Sequence, residues 1–401
     1  MTALPSESPP IRALVVDDDP IIVQLLCAFL RSRGYEAEDC ADGQEALERV
    51  RDGGINLVLT DRHMPRMDGL ALCRAIRALR SDAYIYCIML TTAREESSLV
   101  AAMEAGVDDF VPKPIRLQEL GARLRAAERV LGLEAGLASR NRDLAEAYEQ
   151  LSRELELARV LQLGQLPPAG NFGRIGFDWV FEASGYVGGD IFDYFELPGG
   201  CVGFFLADVS GHGVAAAMMA FHVQQQLRAV SQYVAPPVLQ AQGLGAAAVA
   251  AVTEYNRRFL QMKETSLYLT LLYGLIDPAA GQLAVVQAGH PPALHAARAQ
   301  DELVPVGDGG LPVGILPEPG YEAVVLPFGA GARLALYSDG ITDCQDTAGQ
   351  EFGIDRLRQL LQRHRDETLN EAGRRLHAAL RAWHGDGPFH DDVTFLAVEG
   401  R

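Results

Sequence analysis

Long apolar runs, basic stretches and patterned cysteines are all missing from this 401-residue chain, and each absence removes a class of function. No apolar segment approaches the roughly 20 residues that cross a bilayer. Residues 246–252 come nearest and are too short. Residues 1–10 lack the charged start and apolar centre of a secretory signal, and are expected to be disordered. There is no basic stripe, and the formal net charge is −18. This disfavours nonspecific nucleic-acid binding and attraction to anionic membranes, and neither is expected as a partner. Zinc-type Cys/His spacing is absent too. The six cysteines (27, 40, 73, 87, 201 and 344) are scattered in mostly apolar settings. Buried free thiols in a cytoplasmic protein are the expectation. What remains is a chain that is 48% apolar, enough for two or three domains with real cores.

What is present is a set of acidic motifs. Gly188-Gly189-Asp190-Ile191-Phe192-Asp193 and Asp208-Val209-Ser210-Gly211-His212-Gly213 lie about twenty residues apart. Each reads as ending an apolar, strand-like run. Ser338-Asp339-Gly340 and Asp391-Asp392-Val393-Thr394 stand far downstream. Carboxylates set among glycines at strand ends hold hard metal ions, and four such sites read as a metal-dependent hydrolase.

Residues 11–125 alternate short apolar runs (11–16, 57–60, 85–90, 110–111) with helical patterns (22–33, 44–51, 70–79, 98–105). The alternation predicts a doubly wound parallel sheet, whose ligands bind beyond the carboxyl ends of the strands. Asp17, Asp18, Asp61, Thr91 and Lys113 stand there. Three carboxylates together call for a magnesium ion, and a lysine with a threonine can grip phosphoryl oxygens. Val15-Val16-Asp17-Asp18-Asp19-Pro20, the run from Thr60-Asp61-Arg62-His63 to Asp68-Gly69, and Val111-Pro112-Lys113-Pro114 resemble the response-regulator receiver domain. The resemblance implies that Asp61 accepts a phosphoryl group from a histidine kinase. Asp17, Asp18 and Asp61 would bind Mg2+ with the His63 carbonyl. Thr91 and Lys113 would bind the phosphoryl group, Phe110 would be the rotating aromatic, and Thr92 would restrict access.

Residues 117–165 are rich in Leu, Ala, Glu and Arg. Leu117, Leu124 and Leu131 are spaced by seven, as are Leu137, Leu144 and Leu151, with Tyr148 and Leu155 on the paired positions. The second set is offset by one, which predicts a stutter near 132–136, where two glycines weaken the helix. The expected picture is a last receiver helix, a flexible break, then a coiled-coil linker over 126–165 that makes a parallel homodimer.

Beyond the linker the pattern changes to short strands (177–183, 201–208, 267–277, 282–288, 332–338, 394–398) and helices (215–234, 246–261, 354–361, 369–383). Antiparallel sheets with helices outside, an α/β sandwich over 166–401, are predicted. Asp190, Asp208, Asp339 and Asp391 could converge on two divalent ions, with the Val209 carbonyl completing the shell. Taken singly, each motif also reads as a turn or a loop acid. Gly188-Gly189-Asp190-Ile191-Phe192 also looks like a diguanylate cyclase turn, but that family needs an acid where Ile191 stands.

The combination resembles the type 2C metal-dependent serine/threonine protein phosphatases of the SpoIIE-like bacterial branch. The matching pieces are Ala158-Arg159-Val160-Leu161-Gln162 to Leu166-Pro167, the four acidic motifs, and Ala288-Gly289-His290-Pro291-Pro292, in the expected order. Asp190, Asp208, Asp339 and Asp391 carry over as ligands of two Mn2+ or Mg2+ ions, with Asp392 the alternative if the last pair is shifted by one. His212 stands near the proton donor of eukaryotic members but at a different spacing from Asp208. Their phosphate-gripping arginine has no clear counterpart. His290 is expected to be structural. The whole reads as a response regulator with phosphatase output, acting on a phosphorylated STAS-type anti-sigma-factor antagonist. The rival readings are a phosphorylation-gated scaffold without catalysis, and hydrolysis of small phosphate esters.

Overall fold

The computed structural model describes residues 11–79, 83–92, 102–211, 213–262, 267–307 and 309–401. They form two compact units that divide between Gln150 and Leu151. The N-terminal ten residues, the start of the helix expected at 98–105, and His212 lie outside the described residues.

The first unit is a five-stranded parallel sheet in the order β2-β1-β3-β4-β5. Its strands are β1 (Arg12–Val16), β2 (Glu36–Cys40), β3 (Leu57–Asp61), β4 (Tyr86–Thr91) and β5 (Asp109–Pro112). Helices α1 (Pro20–Arg31), α2 (Gly43–Arg51) and α3 (Gly69–Ala78) each start on an aspartate cap: Asp19, Asp42 and Asp68 accept bonds from first-turn amides. The strand order reverses direction beside β1, so the ends of β1 and β3 flank the crevice where ligands bind. The sequence pattern misses β2. Glu36-Ala37-Glu38-Asp39-Cys40 is an edge strand with polar side chains facing out, so it has no apolar run to reveal it.

Helix α4 runs from Leu117 to Gln165, 49 residues without interruption. Leu120, Leu124 and Ala127 are buried in the first unit's core. The expected break at Gly132–Gly136 is not there. A side-chain carbon at either glycine would meet nothing within 4 Å, and neither has a positive φ. Each glycine costs about 1 kcal/mol, which the surrounding Leu, Ala, Glu and Arg residues offset by their own helix preference. Leu137, Leu144 and Leu151 are half or more exposed along this helix (55%, 68% and 53%).

The second unit stacks two antiparallel sheets. One is five-stranded: β8 (Asp190–Glu196) and β9 (Val202–Val209), then β10 (Leu269–Asp277), β11 (Gln282–Ala288) and β14 (Ala323–Pro327). The other is six-stranded, with β15 (Arg333–Tyr337), β16 (Val393–Gly400) and β7 (Ile175–Glu182) at its centre. At its margins are β12 (Ala293–Ala296), β13 (Val304–Val306) and β6 (Gly170–Phe172). Helices α5 (Val214–Gln242) and α6 (Leu244–Phe259) cover the first sheet. Beyond the short α7 (Asp339–Thr342), α8 (Gly353–Arg363) and α9 (Leu369–His384) cover the second. Alternation along β16 shows how the layers share one strand. Leu396 and Val398 enter the core between the sheets, while Val393, Phe395 and Ala397 pack on α8 and α9. All six cysteines are free and buried. Among the described residues, no helix is long and apolar enough to cross a membrane.

Candidate functional site

In the first unit, the ends of β1 and β3 bring Asp17, Asp18 and Asp61 together, with ligand atoms within 4.8 Å of one another. Asp17 and Asp61 are buried and Asp18 is exposed. Lys113, just past β5, sets its Nζ 2.9 Å from Asp17 and 2.6 Å from Asp61. Burial lowers the Lys113 pKa, and the two carboxylates outweigh this and raise it. Its charge is therefore secure. The His63 N–H donates to Asp61 at 3.2 Å, which lays the backbone at that position against the carboxylate. Thr91 closes β4 and is buried, Thr92 beside it is exposed, and Phe110 is partly buried against the core under α2 and α3. Three carboxylates with all-oxygen donors fit a hard divalent ion.

The second site gathers at one end of the two-sheet stack. Asp190 pairs in register with Asp208 across β8 and β9. Trp179 and Phe177 of β7 contact Phe192 and Tyr194, so the even-numbered side of β8 faces the other sheet, and Asp190 with it. Asp190 opens β8; the sequence reading that it closes a strand is corrected here. The error is a matter of direction, because the apolar run belonging to Asp190 follows it. From the opposite sheet come Asp339, one residue past Ser338 at the end of β15, and Asp391-Asp392, which lead into β16.

The two adjacent aspartates do different things. Asp392 is 5% exposed, and both its oxygens are engaged. Oδ1 accepts from the Ser184 N–H (2.8 Å) and hydroxyl (3.1 Å), and Oδ2 from the N–H groups of Gly189 (2.6 Å) and Asp190 (3.2 Å). Four donors use up a carboxylate's capacity of about four lone-pair sites. A side-chain carbon on Gly188 would lie 2.2 Å from Asp392 Oδ2, and one on Gly340 would lie 2.1 Å from the Asp392 carbonyl oxygen. Both glycines are needed for that close approach. Asp391 is exposed at the site, and one of its oxygens accepts the Asp392 N–H at 2.8 Å.

The cluster repels itself. Burial, then the charges of Asp339, Asp391 and Asp392, push Asp208 up to about 7. Asp190 is raised well above its ordinary value by burial, then by Asp208 and Asp392. Asp339 is raised by burial, then Asp391. Such a group calls for cations, and its donors are oxygens, so a divalent hard ion fits. Among the described residues no three of these carboxylates bring ligand atoms within 4.8 Å of one another. The Val209 carbonyl turns toward Gly189, where a side-chain carbon would lie 2.9 Å from it.

Several supporting residues escaped the sequence reading. The Thr394 hydroxyl donates to Asp190, from the even-numbered side of β16. Ser338 joins β15 to β16: its hydroxyl donates to the Asp392 carbonyl (2.9 Å) and accepts from the Thr394 N–H (3.0 Å). Gln162 of α4 bonds Gly188 twice, donating to its carbonyl at 2.8 Å and accepting from its N–H at 3.1 Å. Thr270 faces Asp208 across β9 and β10, and its hydroxyl pairs with His290 Nδ1 at 2.7 Å. His290 is 2% exposed, and burial lowers it to about 3 against the opposing pull of the Tyr337 backbone. It is a neutral, structural histidine. Asp193 turns to the opposite side of β8 from Asp190. It pairs with Arg228 of α5 at 3.3 Å, and burial raises it to about 6.

Comparison with known proteins follows the same division. The family model for Stage II sporulation protein E (SpoIIE) matches residues 198–401, and that for the response regulator receiver domain matches 13–125. Response regulator MprA of Mycolicibacterium vanbaalenii is 43% identical over 117 residues, 29% of this chain and 50% of that protein. DNA-binding response regulator MtrA of Mycolicibacterium smegmatis is 41% identical over 115 residues, 29% of this chain and 49% of that protein. The chain thus spans about half the length of these curated relatives. Among solved structures, the SiaA-PP2C domain of Pseudomonas aeruginosa superposes with a TM-score of 0.53 at 22% identity, over 64% of this chain and all of that one. That likeness establishes the fold of the second unit.

Proposed function

Since the chain belongs to the Stage II sporulation protein E (SpoIIE) family and carries a response-regulator receiver domain, we propose that it is a phosphorylation-controlled, metal-dependent protein serine/threonine phosphatase. The observation that carries this reading is the convergence of Asp190, Asp208, Asp339 and Asp391 from both sheets, with Asp392 saturated behind them. These four, with the Val209 carbonyl, would hold two Mn2+ or Mg2+ ions. When bound, such ions lower the pKa of a shared water and offset phosphoryl charge.

The chain's own part is preorganisation. Thr394 orients Asp190. Asp392 fixes the Gly189 and Asp190 amides. Ser338 locks the two strands of the opposite sheet in step. The net reaction breaks the phosphorus–oxygen bond of a phosphoserine or phosphothreonine, with water supplying the new oxygen and the freed hydroxyl keeping a proton. The substrate we assign, on family grounds, is a phosphorylated STAS-type anti-sigma-factor antagonist.

Control would begin at Asp61, phosphorylated by a histidine kinase. Mg2+ would sit among Asp17, Asp18, Asp61 and the His63 carbonyl, while Lys113 and Thr91 grip the phosphoryl oxygens and Phe110 reorients. Helix α4 starts in the receiver core and carries Gln162 in its last turn. Its exposed Leu137, Leu144 and Leu151 would form the seam of a homodimer. The test is manganese-dependent phosphate release from a phosphorylated STAS protein, with and without beryllofluoride. Release from small phosphate esters alone would defeat the substrate assignment. Equal rates with and without beryllofluoride at both low and saturating manganese would defeat the control.

A further inference from the structure

His384, the last residue of α9, bonds two separate loops at once. Its Nδ1 lies 3.0 Å from the Gln345 carbonyl oxygen, and its Nε2 lies 2.9 Å from the Pro388 carbonyl oxygen. Each ring nitrogen thus lies within hydrogen-bonding distance of a backbone carbonyl, one in each loop. Gln345 stands six residues after Asp339, and Pro388 three residues before Asp391. The ring also packs on Phe389 at 5.1 Å and on His390 at 5.3 Å.

One turn earlier, Arg381 reinforces the second of these loops. Its Nη1 donates to the Gly387 carbonyl at 2.6 Å, and its guanidinium lies 4.0 Å from the Phe389 ring centre. Arg381 is itself held by Glu182, which also bonds His377 at 2.6 Å. Glu182 is the register partner of Val393, two residues past Asp391. The segment leading into Asp391 is thus fastened to the end of α9 by side chains. Ser338 joins the two acid-bearing segments at their inner end, and His384 joins them at the outer end.

We infer that His384, supported by Arg381, is a positioning residue that sets the spacing of Asp339 and Asp391 for metal binding. The inference rests on the reading of those two aspartates as metal-holding groups. A change of a few tenths of an ångström in either loop alters how two carboxylates share an ion, while the core of the sandwich stays as it is.

Manganese binding by the full chain, read from the electron paramagnetic resonance signal of free Mn2+, tests it without relying on turnover. His384→Ala is expected to weaken binding about tenfold at an unchanged thermal midpoint of the metal-free protein, with His384→Gln, which keeps a donor there, in between. Trp383→Phe is the control. It removes the neighbouring bond to the Gln350 carbonyl (3.1 Å) on the same turn, without touching the Asp391 segment, and should bind manganese as the unaltered protein does. Normal binding by His384→Ala overturns the inference, as does equal weakening by Trp383→Phe. Should His384→Ala fail to fold, Arg381→Lys reads the same quantity, and unchanged binding there overturns it. Asp391→Asn separates the two levels. If it binds as tightly as the unaltered chain, the metal reading itself falls; if it loses binding while His384→Ala does not, only the positioning role falls.

Discussion

Gln162 grips the peptide backbone of Gly188 from both sides, donating to its carbonyl at 2.8 Å and accepting from its N–H at 3.1 Å. Gly188 lies two residues before Asp190, and its amide neighbour Gly189 is held by Asp392. The end of α4 therefore touches the turn that presents the first acid of the site. Gln162→Glu keeps the size and the acceptor but cannot donate to the Gly188 carbonyl, and it adds charge near Asp392. The expected outcome is a rate at low manganese reduced at least tenfold, with partial recovery at high manganese. Loss of these bonds costs about 1–2 kcal/mol of stability. A manganese titration of phosphate release, beside thermal unfolding, checks both. An unchanged manganese requirement would remove Gln162 from the control path.

Asp391 and Asp392 should part company on substitution. Asp391→Asn removes an exposed site carboxylate and keeps its size, so folding should survive and metal-dependent activity should fall by at least 100-fold. Asp392→Ala strips four donors of their acceptor in a buried place. It should cost about 3 kcal/mol, visible as a lower denaturation midpoint, with activity lost as a consequence. The opposite pattern would reverse the assignment of the two residues.

Stability without metal should fall as pH rises. Asp208 has its folded pKa raised from 3.8 to about 7, and Asp193 from 3.8 to about 6, both first by burial. A carboxyl whose folded pKa is raised binds more protons folded than unfolded, so its contribution is full below about 4 and is lost as pH climbs through 6 to 7. The metal-free phosphatase unit should therefore melt several degrees higher at pH 5 than at pH 8. Excess manganese should narrow or invert the difference, because it stabilises the ionised acids. Differential scanning calorimetry in chelator at the two pH values settles the sign.

The main features of both units were legible in the sequence where function and backbone geometry demand the same residues. Asp17, Asp18 and Asp61 stand at the ends of strands that are buried and apolar, so motif and strand announce each other. Gly188 and Gly340 are required by the approach of Asp392, so they mark the turns that carry Asp190 and Asp339. What stayed hidden was the layer behind. Ser184, Thr394, Ser338 and Gln162 are common residue types whose partners lie 26 to 208 positions away, and no local pattern encodes such a pairing. The edge strand β2 was hidden for another reason, since it buries only part of itself. Helix α4 passes through Gly132 and Gly136 without a break because forty-nine consecutive residues, not single glycines, decide helix formation together.

Gly132 and Gly136 offer the cleanest trial of how α4 serves control. Both lie inside the uninterrupted helix with open space around them, so alanine fits at each. If α4 acts as a continuous rod, Gly132→Ala with Gly136→Ala should stabilise it by about 1 kcal/mol per site and leave the response to beryllofluoride intact or steeper. If control instead needs a hinge at this place, the same pair should stabilise the helix and yet flatten the response. Proline at Gly136 bounds the other side: it removes an internal hydrogen bond, breaks the rod at roughly 3 kcal/mol, and should uncouple phosphatase rate from the state of Asp61 while both folded units persist. Circular dichroism for helix content, set against the rate ratio with and without beryllofluoride, distinguishes the two. Stiffening and uncoupling cannot both result from the alanine pair if the rod carries the signal.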